Sequence, residues 1–348
     1  MKIAQIAPLA ESVPPRLYGG TERVVSYLTE ELVRLGHDVT LFASGDSSTS
    51  ARLVACSPRA LRLDERVKDA LPHHLLMIER VRSRAHEFDV LHFHIEHVHL
   101  PLFRSFARKS VTTLHGRLDL PDLVPLYREF DDMPLVSISD AQRRPLAHAN
   151  WVGTVYHGLP APVCPYNPAP RGQYLAFLGR VSPEKGLERA IEIARRAGKR
   201  LRIAAKVDRT EVGYWRSRIL PLLSDPLVEF IGEVNEEQKP TLLGNAAALL
   251  FPVDWPEPFG LAMIEAMSCG TPVIAWPNGS VPEIVEHGVN GFVVDSVEKA
   301  VAAVHDIPRI DRAQVRRRFD ERFSAARMTR DYLGVYRSLA RKPLVSAA

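Results

Sequence analysis

The chain has 348 residues, enough for about two domains, and its 46% hydrophobic and 25% charged content is that of a globular protein rather than a disordered or fibrous one. The net charge of +4, from 45 basic and 41 acidic residues, permits an anionic ligand, but no long basic run with interleaved aromatic residues indicates nucleic-acid binding. The three widely spaced cysteines predict neither a disulfide framework nor a zinc site. Because the thiols are expected to be reduced and MKIAQIAPLA lacks the long apolar core of a signal peptide, we expect a cytoplasmic protein.

The first elements of the chain predict a β-α-β unit. Residues 2–7 are typical of a buried strand, and a loop rich in proline and glycine follows. We expect Thr21 to cap a helix whose apolar residues recur at the helical period and which ends at Gly36, before a second strand at residues 39–43. This alternation predicts a parallel sheet with ligand-binding loops at the carboxyl ends of its strands. No GxGxxG sequence occurs, so a dinucleotide cofactor is not indicated.

Three more apolar strands are predicted in the first half, and they span residues 89–94, 111–114 and 135–139. The first of them begins a run of four histidines, His92, His94, His97 and His99, and imidazoles two residues apart on a strand share a face. A metal site is one interpretation of these histidines. The other is that they lie in the core or line a cleft, which the lack of a nearby cysteine favours. The sequence does not assign their roles.

Five prolines between Gly158 and Gly172 predict a semi-rigid linker at residues 159–170. We therefore expect one domain over residues 1–158 and another over residues 171–323. In the second domain, strands are predicted at residues 174–178, 201–205, 228–231, 248–251 and 271–276, and helices at 187–197, 214–222 and 236–245. After Asp295 the chain is predicted to be helical to its end. The expected fold class is α/β, with two Rossmann-like domains facing across a cleft.

The loop and helix that follow Trp255 carry the strongest functional pattern. Glu257 lies between two prolines, and the helix predicted over residues 259–268 is apolar on nearly every side except at Glu265. We therefore expect Glu265 to be buried and to have a partner. The helix start has no lysine or arginine, so its backbone N–H groups can face an anion. These groups belong to Phe259, Gly260 and Leu261.

The pair Glu257 and Glu265, separated by PFGLAMI, resembles the two-glutamate signature of retaining glycosyltransferases of family 4, which have the GT-B fold. The resemblance implies that Glu257 contacts hydroxyl groups of the donor sugar and Glu265 the nucleotide ribose, while the helix start holds the diphosphate. The segment GRVSPEKG is similar to the family's phosphate-binding segment, which implies that Arg180 and Lys185 hold the diphosphate. Both are cations just past a strand end, where sites on parallel sheets lie. The alternative is a surface loop with two ordinary cations.

The resemblance extends to the N-terminal half, which it identifies as the acceptor domain. His115, in TTLHG, has the position of a histidine that lies close to the donor sugar in the family, so it is expected to act in catalysis together with Glu257. Gly19 and Gly20 match the family's glycine-rich first loop, which approaches the diphosphate. The segment VSISDAQR, residues 136–143, is similar to a stretch of the cleft wall, and its role is left open.

Further expectations concern the last helix and two departures from the family pattern. The resemblance implies that a helix over about residues 324–348 crosses back to the N-terminal domain. His157-Gly158 stands where relatives often have Asn-Gly, and Asn278-Gly279-Ser280 where many have a diglycine, which puts the contacts of those positions in doubt. Two basic clusters, residues 195–202 and 316–318, would suit either solvated helix ends, which are favoured, or a weak contact with a membrane surface.

The resemblance thus implies a retaining, metal-independent glycosyltransferase that moves a hexose from a nucleoside-diphosphate sugar to a hydroxyl acceptor. No Asp-x-Asp metal motif occurs, and cations with a helix start can do the work of a metal. No cofactor is expected. The donor is a UDP-, GDP- or ADP-sugar, with UDP favoured, and the acceptor is a small molecule, a glycan or a lipid-linked molecule. The alternatives are a GT-B nucleotide-sugar epimerase or hydrolase and a non-catalytic nucleotide-sugar-binding module.

Overall fold

The structure is a computed structural model that describes residues 1–161 and 163–341. Pro162, in the predicted linker, and residues 342–348, at the end of the predicted last helix, lie outside the described residues. The chain forms two compact units. The first comprises Met1–Gly158 and the chain from Ala325 onward, and the second comprises Leu159–Ser324.

The first unit alternates strands and helices. Its elements are β1 (Lys2–Ile6), α1 (Gly20–Arg34), β2 (Asp38–Ser44), β3 (Arg52–Ser57), α2 (Leu71–Ser83), β4 (Val90–Phe93), α3 (Leu100–Phe103), β5 (Ser110–Thr113), α4 (Leu123–Glu129), β6 (Leu135–Ser137), α5 (Asp140–Arg143) and β7 (Trp151–Thr154). Over the described residues these strands form one parallel sheet in the order β3-β2-β1-β4-β5-β6-β7. The order reverses between β1 and β4, and such a reversal opens a crevice at the carboxyl ends of the strands.

The second unit repeats this plan. Its elements are β8 (Tyr174–Arg180), α6 (Leu187–Arg196), β9 (Arg200–Lys206), α7 (Val212–Tyr214), β10 (Val228–Gly232), α8 (Lys239–Gly244), β11 (Ala248–Phe251), α9 (Leu261–Ser268), β12 (Val273–Ala275), α10 (Val281–Ile284), β13 (Gly291–Val293), α11 (Val297–Asp306) and α12 (Arg312–Arg322). Its strands, within the part of the chain that is described, pair in parallel in the order β10-β9-β8-β11-β12-β13. The reversal here lies between β8 and β11.

The last helix, α13 (Ala325–Arg341), belongs to the first unit and packs against α1. This confirms the expectation that the end of the chain returns to the N-terminal domain. The prediction of a chain that is helical to its end after Asp295 needs a correction, because the chain leaves the helical conformation between α12 and α13. At this break Ser324 pairs with Leu159 in an isolated bridge.

The residues of the central strands β4, β5, β11 and β12 are apolar or small and polar, with the exception of His92. Every residue of β4, β5, β11 and β12 is buried. Strands covered by helices on both faces have this near-continuous apolar character. Each unit therefore has a core of its own, which includes Phe42 and Phe93 in the first unit and Leu250 and Ile274 in the second.

The predicted fold class, two Rossmann-like α/β domains, is confirmed, and several local predictions are wrong. Thr21 does not cap α1, which begins at Gly20 after Gly19. The helix predicted over residues 259–268 begins only at Leu261. Residues 214–222 do not form one α-helix, because α7 gives way to a π-helical turn at Trp215–Ile219 and then a 3-10 turn at Leu220–Ser224. Among the described residues, no helix is both long enough and apolar enough to span a bilayer.

Candidate active site

The loops after β8 and β11 are held together at the point where the strand order of the second unit reverses. The loop after β8 carries GRVSPEKG and the loop after β11 carries Glu257. The backbone N–H of Asp254 donates to the carbonyl oxygen of Glu184 at 2.7 Å, and Arg189 makes an ion pair with Asp254. Two loops that the sequence separates by about seventy residues therefore form one structure, at the position where α/β sheets bind their ligands.

Glu257 and Lys185 form a nearly buried ion pair at this point. The Nζ of Lys185 lies 2.6 Å from Oε2 of Glu257. Glu257 as a whole residue is 7% exposed. The indole Nε1 of Trp255 donates to the same oxygen at 2.8 Å, and the Lys185 ammonium lies 4.7 Å from the centroid of the Trp255 ring. No hydrogen bond joins Oε1 of Glu257 to any of the described residues. One carboxylate oxygen is thus fixed by two donors, and the other remains an acceptor for a ligand.

The backbone of Glu257 is held by the loop before α10. The N–H of Ser280 donates to the carbonyl oxygen of Glu257 at 2.9 Å, and the amide of Asn278 donates to the carbonyl oxygen of Val253 at 2.8 Å. Gly279 has a φ of 62°, and a Cβ atom on it would lie 2.2 Å from the carbonyl oxygen of Glu257. Only glycine fits both the backbone conformation and the close approach. The Asn-Gly-Ser departure from the family pattern therefore keeps the glycine that this contact requires.

Helix α9 starts without a side-chain cap and carries Glu265 in its interior. Gly260, the residue before the helix, has a φ of 84° and no side chain to bond the free N–H groups, and the first turn has no acidic residue. A Cβ on Gly260 would lie 2.9 Å from the ring of Phe251. Free N–H groups at a helix start and the helix dipole both favour an anion. The geometry is compatible with the phosphate-binding site that is expected at Phe259, Gly260 and Leu261.

Glu265 is buried and has a cationic partner, as the sequence predicts. It is 4% exposed, and Nζ of Lys239 lies 2.7 Å from its Oε1. The same ammonium lies 2.6 Å from Glu236, three residues earlier in the chain. Sequence reasoning did not identify Lys239. The sequence indicated that a buried Glu265 needs a partner. It did not identify that partner, because nothing in the sequence shows that the start of α8 lies beside α9.

Arg180 does not join the pair of Lys185 and Glu257. Its guanidinium lies 3.3 Å from Glu184 and 3.7 Å from Asp208, and its side chain is about one third exposed. Ser182, in the same segment, is buried, and no described residue hydrogen-bonds its Oγ. The GRVSPEKG segment thus offers one partly exposed cation, one nearly buried cation and one hydroxyl without a hydrogen-bond partner among the described residues.

In the first unit, the loop that carries His115 is fixed by two side chains. Oε1 of Glu96 accepts the backbone N–H groups of His115 at 3.0 Å and Gly116 at 3.1 Å. The amide of Gln142 donates to the carbonyl oxygens of Leu114 at 2.9 Å and Gly116 at 2.8 Å. Glu96 has a φ of 53°, a conformation that is uncommon for a residue other than glycine or asparagine.

Gln142 supplies a structural role for the VSISDAQR segment, which the sequence left without one. Its own backbone N–H is capped by Oγ of Ser139 at 3.0 Å, and its Oε1 accepts the N–H of Ile138 at 2.9 Å. Ser139 and Gln142 together fix the turn from β6 into α5. The segment therefore positions the His115 loop.

The ring of His115 contacts two other histidines. Its Nε2 lies 2.9 Å from Nδ1 of His94, and its ring stacks on that of His157 with a centroid separation of 5.3 Å. Burial lowers the pKa of His115 to about 3, so the ring is neutral at physiological pH. Burial, together with the neighbouring His115 and Arg327, also lowers the pKa of His157 well below its usual range. A neutral imidazole offers one N–H donor and one acceptor nitrogen.

The other histidines of the first half have different surroundings. The two nitrogens of His92 bond the hydroxyls of Tyr336 and Thr113, each at 2.7 Å, and His99 bonds Thr112 at 2.8 Å. His97 is exposed. Within residues 1–161 and 163–341, no three His, Cys, Asp or Glu side chains are placed to hold a metal ion. The geometry supports the interpretation of His92 and His99 as core residues.

The remaining predicted site residues, Gly19 and Gly20, lie at the start of α1 in the first unit. Gly19 precedes the helix, and its carbonyl oxygen accepts the N–H of Arg23 at 3.1 Å. A Cβ on Gly19 would lie 2.8 Å from the Cβ of Pro15. Packing within the loop is therefore a reason for glycine at this position that does not depend on a ligand.

Two family models match the chain, one over each half. The model described as Glycosyltransferase Family 4 matches residues 18–167, and the one described as Glycosyl transferases group 1 matches residues 166–322. The putative glycosyltransferase YtcC of Bacillus subtilis is 24% identical over 89% of this chain and 83% of its own length. The D-inositol 3-phosphate glycosyltransferase of Mycolicibacterium smegmatis is 34% identical over 35% of this chain. That alignment covers 29% of the length of the D-inositol 3-phosphate glycosyltransferase. A separate alignment with an uncharacterized glycosyltransferase of Methanocaldococcus jannaschii covers 31% of that protein.

Solved structures resemble the whole chain. AviGT4, a glycosyltransferase involved in avilamycin A biosynthesis, has a TM-score of 0.73 and 25% identity, with 99% of each chain covered. HepE of Anabaena has a TM-score of 0.74 and 19% identity, over 97% of this chain and all of the other. A sucrose-phosphate synthase of Thermosynechococcus elongatus has a TM-score of 0.79 and 18% identity, over 97% of this chain and 99% of the other. With glycosyltransferase matches over both halves and this fold throughout, the chain is a glycosyltransferase of the GT-B type.

Proposed function

We propose that this protein transfers a hexose from a nucleoside-diphosphate sugar to a hydroxyl acceptor, with retention of the anomeric configuration and without a metal ion. The observation that carries the proposal is the arrangement of Glu257. Its Oε2 is fixed by Lys185 and Trp255, and its Oε1 has no hydrogen-bond partner among the described residues. A nearly buried carboxylate with one oxygen anchored and one available suits recognition of sugar hydroxyl groups, which are hydrogen-bond donors.

The diphosphate of the donor would bind beside this carboxylate. Lys185 has three N–H donors, so it can keep Glu257 as a partner while it bonds a phosphate oxygen. Arg180 is exposed enough to swing from Glu184 and Asp208 towards the same charge. The uncapped start of α9 adds the N–H groups of Phe259, Gly260 and Leu261. These donors would stabilise the charge that grows on the leaving phosphate as the glycosidic bond breaks.

Glu265 is assigned to the ribose of the donor. Lys239 pairs with it and orients it inside the unit, and a carboxylate can accept hydrogen bonds from both hydroxyls of a ribose. Gly19 and Gly20 are assigned to the diphosphate from the first unit, on the resemblance alone. His115, neutral and held by Glu96, Gln142 and His94, is assigned to the reacting side of the sugar.

In the proposed transfer, the departing phosphate of the donor acts as the general base. The bond between the anomeric carbon and the phosphate oxygen breaks, the acceptor oxygen attacks from the same face, and its proton passes to the departing phosphate. This route needs neither a carboxylate nucleophile, as retaining glycosidases use, nor a metal ion. Glu257 and His115 support the sugar, and the cations take up the charge.

The donor base and the acceptor are proposed only as classes. HepE was solved with UDP and glucose, and Starch Synthase IV of Arabidopsis thaliana with ADP and acarbose, so the fold accommodates more than one nucleotide. We favour a UDP-sugar donor and a small-molecule, glycan or lipid-linked acceptor. The three free cysteines, Cys56, Cys164 and Cys269, support action in the reducing cytoplasm.

The test begins with thermal-shift measurements on UDP-, GDP- and ADP-sugars, followed by turnover with the donor that stabilises the protein. We expect transfer with an unchanged anomeric configuration by proton NMR, and the same rate in a metal chelator. Full loss of turnover in the chelator would refute metal independence. Release of free sugar or of an epimer without any acceptor would favour the epimerase or hydrolase alternative, and binding without turnover would favour a binding module.

A further inference from the structure

A chain of buried hydrogen bonds connects His115 to the C-terminal helix within the first unit. In order, its members are His115, His94, Gln5, Tyr336, His92, Thr113 and Tyr332. The bonds measure 2.9, 2.9, 3.1, 2.7, 2.7 and 3.0 Å. Except for His115, which is half-buried, every member is buried. Gln5 and His94 lie at β1 and just after β4, where the strand order of the sheet reverses.

The amide of Gln5 sets the direction of this chain. Its oxygen can only accept, so His94 must donate through Nε2–H. A neutral His94 then has an unprotonated Nδ1, which accepts the Nε2–H of His115. His115 in turn is left with an unprotonated Nδ1. None of the described residues hydrogen-bonds that nitrogen, so the one lone pair of the ring is available to a ligand.

The nitrogen of the Gln5 amide faces the other half of the chain of hydrogen bonds. Its Nε2 donates to the hydroxyl of Tyr336 at 3.1 Å, and that hydroxyl donates onward to Nδ1 of His92 at 2.7 Å. In this orientation each of the six hydrogen bonds has one donor and one acceptor, and the hydroxyls of Tyr336 and Thr113 each accept one bond and donate one. Burial and the neighbouring histidines lower the pKa of His94 and His92 well below the usual range, so both rings remain neutral.

We propose that His94, oriented by Gln5 and Tyr336, is a positioning residue that holds His115 as its Nε2–H tautomer and presents Nδ1 as an acceptor for a hydroxyl group of the sugar. This inference rests on the proposed function, in which His115 contacts the sugar. It assigns to the C-terminal helix a role in the site, because Tyr336 lies on α13. A histidine whose second nitrogen is bonded has a defined tautomer and ring orientation, whereas a free ring interconverts.

The test compares two substitutions at His94 by two measurements. The side-chain oxygen of His94→Asn can take the place of Nδ1 and accept from His115, whereas His94→Leu fills the space without an acceptor. Nitrogen-15 NMR of histidine-labelled protein gives the protonation state of each ring nitrogen, and His115→Ala identifies the His115 signals. We expect Nε2 to be protonated and Nδ1 unprotonated in the native protein and in His94→Asn, and a mixture of tautomers in His94→Leu.

The kinetic expectation is a loss confined to the transfer step. We expect His94→Leu to lower kcat by about 10- to 100-fold, the size of effect found when a group that orients a functional histidine is removed, with the donor KM changed by less than about twofold. His94→Asn should recover kcat to within about threefold of the native value. A purely structural role would lower the amount of folded protein in both variants without separating their tautomers.

Three results would overturn the inference. The first is Nδ1 protonation of His115 in the native protein, and the second is an unchanged tautomer in His94→Leu. The third is an unchanged kcat in His94→Leu while His115→Ala loses activity, which would leave the proposed function intact. If His115→Ala itself retains full activity, the assignment of His115 fails instead. The NMR result needs no substrate and so tests the tautomer in either case.

Discussion

Lys185 and Glu257 are paired at 2.6 Å although 72 positions separate them in the chain. Both follow strands that flank the reversal of strand order in the second unit, so the topology of the sheet brings them together. The pair is only 14% and 9% exposed at its side chains, and Trp255 shields one side of it. Two of the predictions below concern Glu257, one through its charge and one through the glycine that contacts its backbone.

Glu257→Gln should lower kcat by about 100- to 1,000-fold and change nucleotide affinity by less than about threefold. The amide keeps the shape of the side chain but loses the charge that recognises the sugar in the transition state. Steady-state kinetics and calorimetric titration of the nucleoside diphosphate would measure the two effects. The control is Glu298→Gln, which removes an exposed ion-pair partner of Arg196 in the same unit and should leave both quantities unchanged. Equal losses in kcat and nucleotide affinity would contradict the assignment.

Lys239→Met should destabilise the protein, because it leaves the buried carboxylate of Glu265 without its cation. Loss of one partner of a buried ion pair costs about 3–5 kcal/mol, whereas exposed pairs contribute about 0–1 kcal/mol. The free energy of unfolding from urea denaturation would show the loss, and the exposed Arg196→Met would serve as control. In the double variant Lys239→Met with Glu265→Leu we expect much of the stability to be recovered. Nucleotide binding should not be recovered, because the carboxylate assigned to the ribose is absent. A stability in Lys239→Met equal to that of the control would show that Glu265 does not need this cation.

Gly279→Ala and Gly198→Ala form a matched pair that isolates the contact with Glu257. Both glycines have a positive φ, 62° and 61°, so both substitutions carry a similar conformational cost of about 1–2 kcal/mol. A Cβ on Gly198 would meet open space, whereas one on Gly279 would lie 2.2 Å from the Glu257 carbonyl oxygen. We expect only Gly279→Ala to displace the Glu257 loop and to lower kcat/KM by at least about tenfold. Similar activity in the two variants would show that the loop adapts without cost to function.

The strands that the sequence did not predict are edge strands. β3 and β7 are the two outer strands of the first sheet and β13 is one outer strand of the second. Central strands are covered on both faces and have continuous apolar sequences, which periodicity detects. The edge strands are partly exposed or only three residues long, so their sequences do not differ from those of loops.

The sequence predicts that a site residue has a partner where the chemistry of its side chain requires one. It does not predict which residue is the partner where the fold decides which elements meet. A buried glutamate in an apolar helix requires a partner, and Glu265 has one. That the partner is Lys239 follows from how α8 lies beside α9, which no local pattern contains. The same holds for His94 and Gln5, since only the sheet brings the ends of β1 and β4 together. The sequence motif of His115 marked the histidine, but not the residues that orient it.

Acidification should weaken the first unit through its buried histidines. Burial is the largest cause that lowers the pKa of His92, His94, His115 and His157, in the case of His115 to about 3. Unfolded histidines take up protons near pH 6.5, so below that pH the unfolded state binds more protons than the native state, and the unfolding free energy falls. The stabilisation is complete above pH 6.5 and is lost as the pH falls towards 3.

Each of these four histidines should cost about 1 kcal/mol of unfolding free energy between pH 7.5 and pH 5.5. Urea denaturation at the two pH values measures the drop. His94→Asn removes one titrating group, so its drop should be smaller by about 1 kcal/mol than that of the native protein. His148→Asn, at an exposed position of the same unit, should show the native drop. If the two variants lose the same free energy on acidification, His94 is protonated in the folded protein, and the neutral hydrogen-bond chain that holds His115 does not persist at low pH.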